Sequence, residues 1–343
     1  MSFECVRKLP NAEELKQKYP FKEDLVKAKT ERDIEIRNIF TGMDNRLLLI
    51  IGPCSAHHED AVSEYVKRLA RIQEKVKDKI FIIPRIYTNK PRTNGLGYKG
   101  MLHQPDFKKD SDMVSGLEAI RHMHIRIFNE SRLAAADEML YPENYPYLSD
   151  VLSYVAIGAR SVENQQHRLT ASGFDIPVGM KNPTSGDLGV MFDSILASQS
   201  SHVLVYTGWE VKTDGNDLTH AVLRGAVDKD GKPQPNYHYE SLAKAANIYR
   251  ERGLSNPAII VDTNHANSGK LFHEQPRIAK EVMNSRNHSD SLKGVIKGLM
   301  VESYLLEGAQ NSNGNEFGKS ITDPCLGWDA SERLIYDLAE MAH

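Results

Sequence analysis

Cys54, His265, Glu302 and Asp323 supply one sulfur, one nitrogen and two carboxylates from distant parts of the chain. A mixed set of this kind can hold a divalent transition metal, with the soft thiolate disfavouring magnesium and calcium. No local ligand spacing ties the four together, and each alone has a plainer role: a lone cysteine packs as a small hydrophobe, and a lone histidine is commonly a satisfied packing residue. A second group is cationic: Arg85, Lys90, Arg92, Arg160, Lys181 and Arg224. Arginine forks grip phosphate or carboxylate oxygens in pairs, whereas lysine supplies a mobile point charge. Any one of these cations alone reads as solvated surface charge. Gathered at one place they call for anions, and suit two multiply charged substrates better than one.

The elements that must position these residues are short apolar runs alternating with longer amphipathic segments, the pattern of a parallel sheet wound with helices. The strands are expected at Leu47–Ile51, Ile80–Ile86, Leu133–Ala136, Val155–Gly158, Ile176–Met180, His202–Tyr206, Ala258–Asp262 and Gly298–Glu302. Eight strand–helix units favour a closed (β/α)8 TIM barrel over an open doubly wound sheet. Val62, Tyr65, Val66, Leu69, Ile72 and Val76 show the three-and-four spacing of one buried helix face. Residues 1–45, polar and helix-prone, are expected as an N-terminal extension serving oligomerisation or regulation, and residues 46–343 as the catalytic barrel. Leu218–Arg224 with the turn Asp228–Asn236 reads as a β-hairpin inserted after strand six.

In such barrels, chemistry sits at the C-terminal ends of strands and in the loops that follow. That filter selects Cys54 after strand one, Arg85 and the Lys90-Pro91-Arg92-Thr93 loop after strand two, and Arg160 after four. It also selects Lys181, His265 and Glu302 after five, seven and eight, with Arg224 on the hairpin. His57 and His58, which open a helix, are expected as solvent-facing caps.

A formal charge of −3, with 40% apolar and 26% charged residues, fits a globular enzyme and gives no basic surplus for nucleic acid or a membrane surface. No apolar run approaches the ~18 residues of a membrane span, and the start of the chain has no basic region followed by an apolar one, so a cytoplasmic location is expected. Cys5, Cys54 and Cys325 form no disulfide framework. The dinucleotide, Walker, serine-hydrolase and zincin motifs are missing from the sequence.

Eight motifs run in order from about residue 46 to 328: Gly52-Pro53-Cys54-Ser55, Lys90-Pro91-Arg92-Thr93, Gly158-Ala159-Arg160-Ser161, Pro177 to Asn182, Leu223-Arg224-Gly225, His265-Ala266-Asn267-Ser268, Val301-Glu302-Ser303 and Ile321 to Trp328. Together they resemble class I 3-deoxy-D-arabino-heptulosonate 7-phosphate (DAHP) synthases. The resemblance implies condensation of phosphoenolpyruvate with erythrose 4-phosphate and water, the first step of the shikimate pathway. It implies a divalent metal, manganese first, with iron, cobalt or zinc also used, on Cys54, His265, Glu302 and Asp323. By the same resemblance Arg85, Arg160, Lys181 and Arg224 hold phosphoenolpyruvate, with His265 close by. Lys90, Arg92 and Thr93 reach the sugar phosphate, and Lys90 serves as proton donor near its aldehyde.

The chain departs from the family pattern at Ala135 to Pro142, which leaves open whether Asp137 or Glu138 faces the site, and at Thr263-Asn264. The resemblance further implies feedback inhibition by an aromatic amino acid, with Pro142 and Ser172 near the effector, and a homodimer or homotetramer. Cys325, two residues past Asp323, is expected near enough to Cys54 for oxidative coupling when metal is absent. The rival expectations are a sister synthase using arabinose 5-phosphate, a Schiff base on Lys181, and a non-catalytic effector-binding barrel.

Overall fold

The computed structural model describes residues 2–92 and 95–342. Two helices, α1 (Ala12–Lys18) and α2 (Glu23–Thr41), precede the strands β1 (Leu47–Gly52), β2 (Ile80–Pro84), β3 (Ala135–Glu138), β4 (Leu152–Ile157) and β5 (Val178–Lys181). Between and after these lie α3 (Glu59–Val76), α4 (Met113–Ser131), α5 (Gln165–Ala171) and α6 (Leu188–Gln199). Next come a hairpin of β6 (Val203–Tyr206) and β7 (Trp209–Lys212), strand β8 (His220–Leu223) and a short ribbon of β9 (Ala226–Val227) and β10 (Pro233–Gln234). The chain ends with α7 (Tyr239–Glu251), β11 (Ile259–Asp262), α8 (Gln275–His288), α9 (Asp290–Val295), β12 (Ile296–Glu302) and α10 (Trp328–Met341).

The main sheet runs β2-β1-β12-β11-β8-β5-β4-β3, all parallel. Its two ends meet where Arg85 bridges Ala136 and Ile86 N donates to Ala136 O at 2.8 Å. The (β/α)8 barrel is therefore joined all round.

Strand periodicity sorts side chains between two cores. Leu47, Leu49, Ile80, Ile82, Ile259 and Val261 face outward into the layer shared with the helices. Leu48, Ile50, Phe81, Ile83, Tyr154, Val222, Ile260 and Met300 fill the interior. Ile36, Ile39 and Phe40 of α2 belong to that interior cluster, so the 1–45 segment contributes to the core and closes the barrel's N-terminal end.

The expected sixth strand requires correction. Val203 and Val205 are 63% and 74% exposed, and β6 pairs antiparallel with β7 outside the barrel. The sixth barrel strand is β8, buried throughout and hydrogen-bonded to both β5 and β11. A strand enclosed on both faces must be buried at every position, and His202–Tyr206 alternates instead. The segment expected as an inserted hairpin thus supplies the barrel strand itself. Only its turn forms an added ribbon, tied to the active end by Val227 N donating to Thr184 O at 2.8 Å.

Candidate active site

Continuing each strand's alternation two residues past the last apolar layer brings Arg85, Glu138, Lys181, Arg224, Asp262 and Glu302 to the interior face at the C-terminal end. Charges buried there need partners. Arg85, 2% exposed, donates from Nη2 to Glu302 Oε1 at 2.7 Å and from Nε to Pro53 O at 3.2 Å. Its guanidinium lies 3.8 Å from the centre of the Tyr87 ring, with the Lys181 ammonium 5.7 Å from the same ring. Lys181 Nζ is 3.3 Å from Asp262 Oδ2, and His265 Nδ1 is 2.9 Å from that same oxygen. Burial opposes ionisation of Asp262, but the adjoining His265 and Lys181 outweigh it and hold the carboxyl well below its usual range.

A cleft of about 150 Å³ opens above this layer, lined by Arg85, Lys90, Arg92, Arg160, Lys181 and Arg224 among others. The six sequence-predicted cations therefore do come together. Arg224, 8% exposed, has no hydrogen-bond partner for Nη1 among the described residues, and burial lowers its pKa. A buried cationic donor with nothing to bind is costly unless a ligand supplies the acceptor. Arg160 is exposed at the rim, and Arg92 Nε is anchored to Tyr98 O at 2.8 Å. Thr93 lies outside the described residues.

Glu138, not Asp137, faces the cleft. Asp137 accepts from Thr88 N at 2.9 Å and from Glu138 N at 2.7 Å, with His124 Nε2 3.4 Å away on α4. It braces the loop after β2. A Cβ on Gly158 would lie 2.4 Å from Glu138 Oε1, so a side chain there would push the carboxylate from its present place.

The four metal-ligand candidates come close in pairs. Cys54 Sγ is 3.6 Å from Asp323 Oδ2, and His265 Nε2 is 3.8 Å from Glu302 Oε1. These separations suit neighbouring ligands on one ion with bonds of ~2.0–2.3 Å, and the donor types suit a divalent transition metal. Among the described residues, no three His, Cys, Asp or Glu groups converge as a formed metal-holding set. The positive charge facing the thiol and carboxylate is that of Lys90, whose Nζ lies 2.6 Å from Cys54 Sγ and 3.2 Å from Asp323 Oδ2. Burial disfavours the ammonium, yet Cys54 and Asp323 raise its pKa. Burial, with Glu302 adding to it, pushes the Cys54 thiol up, while Lys90 acts in the opposite direction. His265 adopts φ of 54°, a left-handed backbone that a non-glycine residue holds at a cost and that is often met at functional sites.

The structure adds residues that sequence reasoning missed. Asp262 closed an expected strand and should have been counted as inward by its spacing from Ala258 and Ile260. Asn264 donates from Nδ2 to Glu302 Oε2 at 2.6 Å, and Lys270 Nζ is 3.4 Å from Asp323 Oδ1; neither contact has a local sequence signal. His58 caps α3 by accepting from Ala61 N at 3.4 Å. His57 instead is 5% exposed, sits among Tyr98, Phe107 and Tyr304, and is lowered by burial to a pKa of about 4. Its expected solvent-facing role is therefore wrong, because the loop after β2 folds over it. Cys54 and Cys325 are both free, with Cys54 N donating to Cys325 Sγ at 3.4 Å. Ser172 lines a separate pocket of about 290 Å³ with Tyr145, Phe174 and Tyr206. Pro142 is buried at the start of the 3-10 turn that carries Tyr145.

Known proteins place this architecture. Phe-sensitive phospho-2-dehydro-3-deoxyheptonate aldolase of Escherichia coli K12 is 39% identical over 334 residues, covering 95% of this chain and 92% of the relative. The phenylalanine-inhibited aldolase of Saccharomyces cerevisiae is 35% identical over 332 residues, covering 93% and 86%. A solved structure of phospho-2-dehydro-3-deoxyheptonate aldolase from Francisella tularensis SCHU S4 superposes with a TM-score of 0.91 at 30% identity, covering 100% of this chain and 98% of the other. The model of the DAHP synthetase I family matches residues 22–335, and with the cationic cleft at the C-terminal end of its barrel, this chain belongs to the DAHP synthetase I family.

Proposed function

We propose that the protein condenses phosphoenolpyruvate with erythrose 4-phosphate and water to give DAHP and inorganic phosphate, the entry step of the shikimate pathway, in the cytoplasm. The observation that carries this reading is the buried Nη1 of Arg224, without a hydrogen-bond partner among the described residues, within a cleft lined by six further lysine and arginine side chains. The phosphate and carboxylate of phosphoenolpyruvate supply the missing acceptors at Arg224, Arg160, Lys181 and Arg85. Lys90 and Arg92 reach toward the sugar phosphate. In the reaction, C3 of phosphoenolpyruvate bonds to the aldehyde carbon while water adds at C2. The resulting hemiketal phosphate then loses phosphate by C–O cleavage.

The chain's own groups hold both anions in attack geometry. Lys90, kept protonated by Cys54 and Asp323, donates to the aldehyde oxygen as negative charge develops there. The Asp262 carboxylate fixes His265 from Nδ1 and leaves Nε2 directed toward Glu302. Cys54, His265, Glu302 and Asp323 would hold a divalent ion, manganese first, with iron, cobalt or zinc as alternatives. When bound, such an ion supplies Lewis acidity for a carbonyl oxygen or positions water.

The deciding experiment measures phosphoenolpyruvate consumption by chelator-treated protein, with erythrose 4-phosphate or arabinose 5-phosphate, with and without manganese. Turnover only with the four-carbon sugar and metal supports the proposal. Turnover with the five-carbon sugar, or none with any metal in folded protein, overturns it. Lys181 is ion-paired with Asp262, which argues against a Schiff base, and borohydride trapping tests that directly.

We infer further that the pocket at Ser172 takes an aromatic amino acid. Its lining combines the stacked rings of Tyr145 and Phe174 with the charged side chains of Asp175, Lys212 and Asp214, which suits a zwitterion with an apolar body. Exposed Val203, Val205 and Trp209 on the hairpin, and Phe3 and Val6 on the extension, favour a homodimer or homotetramer, measurable by light scattering.

A further inference from the structure

The end of the barrel opposite the cleft carries its own concentration of positive charge. A groove of about 820 Å³ lies where the C-terminal turn of α2, the start of β12 and the ends of α8 and α9 meet. Arg286 of α8 is 5% exposed and forms part of the groove wall. It donates from Nε to Ile296 O at 3.1 Å and from Nη1 to the Asn287 side chain at 3.5 Å, both neutral acceptors. Lys297, the second residue of β12, is half-buried beside it. Burial lowers the pKa of Arg286, and burial together with the Arg286 charge lowers that of Lys297, with no carboxylate counteracting either. Two cations that repel each other in a half-desolvated wall are unfavourable without a counter-charge.

The groove's own acids do not provide one. Asp44 is taken by Arg46, whose Nη2 lies 2.6 Å from Oδ2 and whose Nε lies 2.9 Å from it. Asp290 is exposed. At the end of α2, beside Lys297, Asn38 O and Ile39 O accept from the amides of Gly42, Met43 and Asp44, so these two carbonyls are taken. At the rim, Arg250 donates to Ser291 Oγ at 2.8 Å, and exposed Lys293 stands on α9. Both add positive charge facing the same space.

We propose that this groove binds a small multiply charged anion, a phosphate ester or a polycarboxylate, with Arg286 and Lys297 at its base and Arg250 and Lys293 at its rim. The site is distinct from the cleft. Lys297 and Glu302 stand on one strand five residues apart, about 16 Å at ~3.3 Å per residue, and the apolar interior lies between. A ligand there would contact α2, whose Phe40 also lines the groove and packs in the barrel interior.

Crystals soaked in sodium tungstate locate anions by anomalous scattering, and the proposal expects a peak between Arg286 and Lys297 besides any in the cleft. Calorimetry with glycerol phosphate and with citrate, on the wild type and on Lys297→Met, then identifies the class of anion. Lys297→Met is expected to weaken the groove's binding step at least tenfold while phosphoenolpyruvate turnover stays unchanged. Arg286→Lys, which keeps the charge and loses the fork, should weaken it less. Tungstate confined to the cleft, titrations indifferent to Lys297→Met, or a groove covered by a second copy of the chain in solution would each overturn the proposal.

Discussion

The two ends of this barrel are built from the same eight strands and differ in what their interior positions carry. At the N-terminal end the Phe40 ring packs tilted against His220 with ring centroids 4.4 Å apart, and His220 Nε2 accepts from Tyr154 Oη at 2.8 Å. The plug is apolar and its one histidine is neutral. At the C-terminal end the same interior face carries Arg85, Lys181, Asp262 and Glu302, all nearly inaccessible. The interior plug at the lower end gains its stability mainly from apolar burial; the upper end places unlike charges in a low dielectric, where removing one member leaves another uncompensated. Function and stability are thus separated along one barrel axis, and substitutions at the two ends should have different signatures.

The largest effect is expected from Arg85→Met, which strands Glu302. Chemical denaturation should show a loss of ~3–5 kcal/mol, and turnover should fall to background. The double variant Arg85→Met/Glu302→Leu should recover much of the stability and none of the activity. At the lower end Phe40→Ala should cost a similar ~3–5 kcal/mol, yet the folded fraction should keep its KM for phosphoenolpyruvate. A raised KM there would mean that the plug and the cleft are coupled. Arg224→Met should largely spare stability, since it removes a buried cation whose Nη1 has no hydrogen-bond acceptor among the described residues, and lower kcat/KM by ~10- to 100-fold, the worth of one charged hydrogen bond.

A pH titration sharpens the contrast. His220 is buried with a pKa lowered to about 4, against an ordinary value near 6.5. Between those values the unfolded chain binds the proton and the folded one does not. The stability this histidine contributes is therefore complete above pH ~6.5 and declines as pH falls toward 4, by roughly 3 kcal/mol in total. His57, also at about 4, acts in the same direction. A variant His220→Gln should flatten part of that acid limb; an unchanged limb would exclude His220 as its source. The smallest effect concerns oxidation. Burial raises both the Cys54 and Cys325 thiols, so peroxide inactivation should be slow at neutral pH, faster in alkali, and prevented by manganese. Equal loss in Cys325→Ser would show that the pair is not involved.

Much of the upper end was legible in the chain. Cys54, Arg85, Lys181, His265 and Glu302 follow or end apolar runs of strand length, and the barrel rule places such positions on one rim. The lower end was less so. The polar, Lys- and Glu-rich first 45 residues gave no hint that Ile36, Ile39 and Phe40 enter the interior, because α2 has only a narrow apolar stripe. The sixth strand misled because His202–Tyr206 and His220–Leu223 are both apolar runs of similar length. Only pairing with two neighbours distinguishes them.

By itself the sequence determined the residue types, their order and their two-residue alternation, and these fix which side chains face inward and at which end of a strand. Tertiary structure decided who meets whom. Asp262 holds both Lys181 and His265, Asn264 steers Glu302, Glu138 rather than Asp137 reaches the cleft, and His57 is sealed under aromatic rings. Facing is a local property of an extended backbone, whereas partnering, burial and the resulting charge states depend on closure of the barrel, which brings together residues more than two hundred positions apart, as it does Arg85 and Glu302.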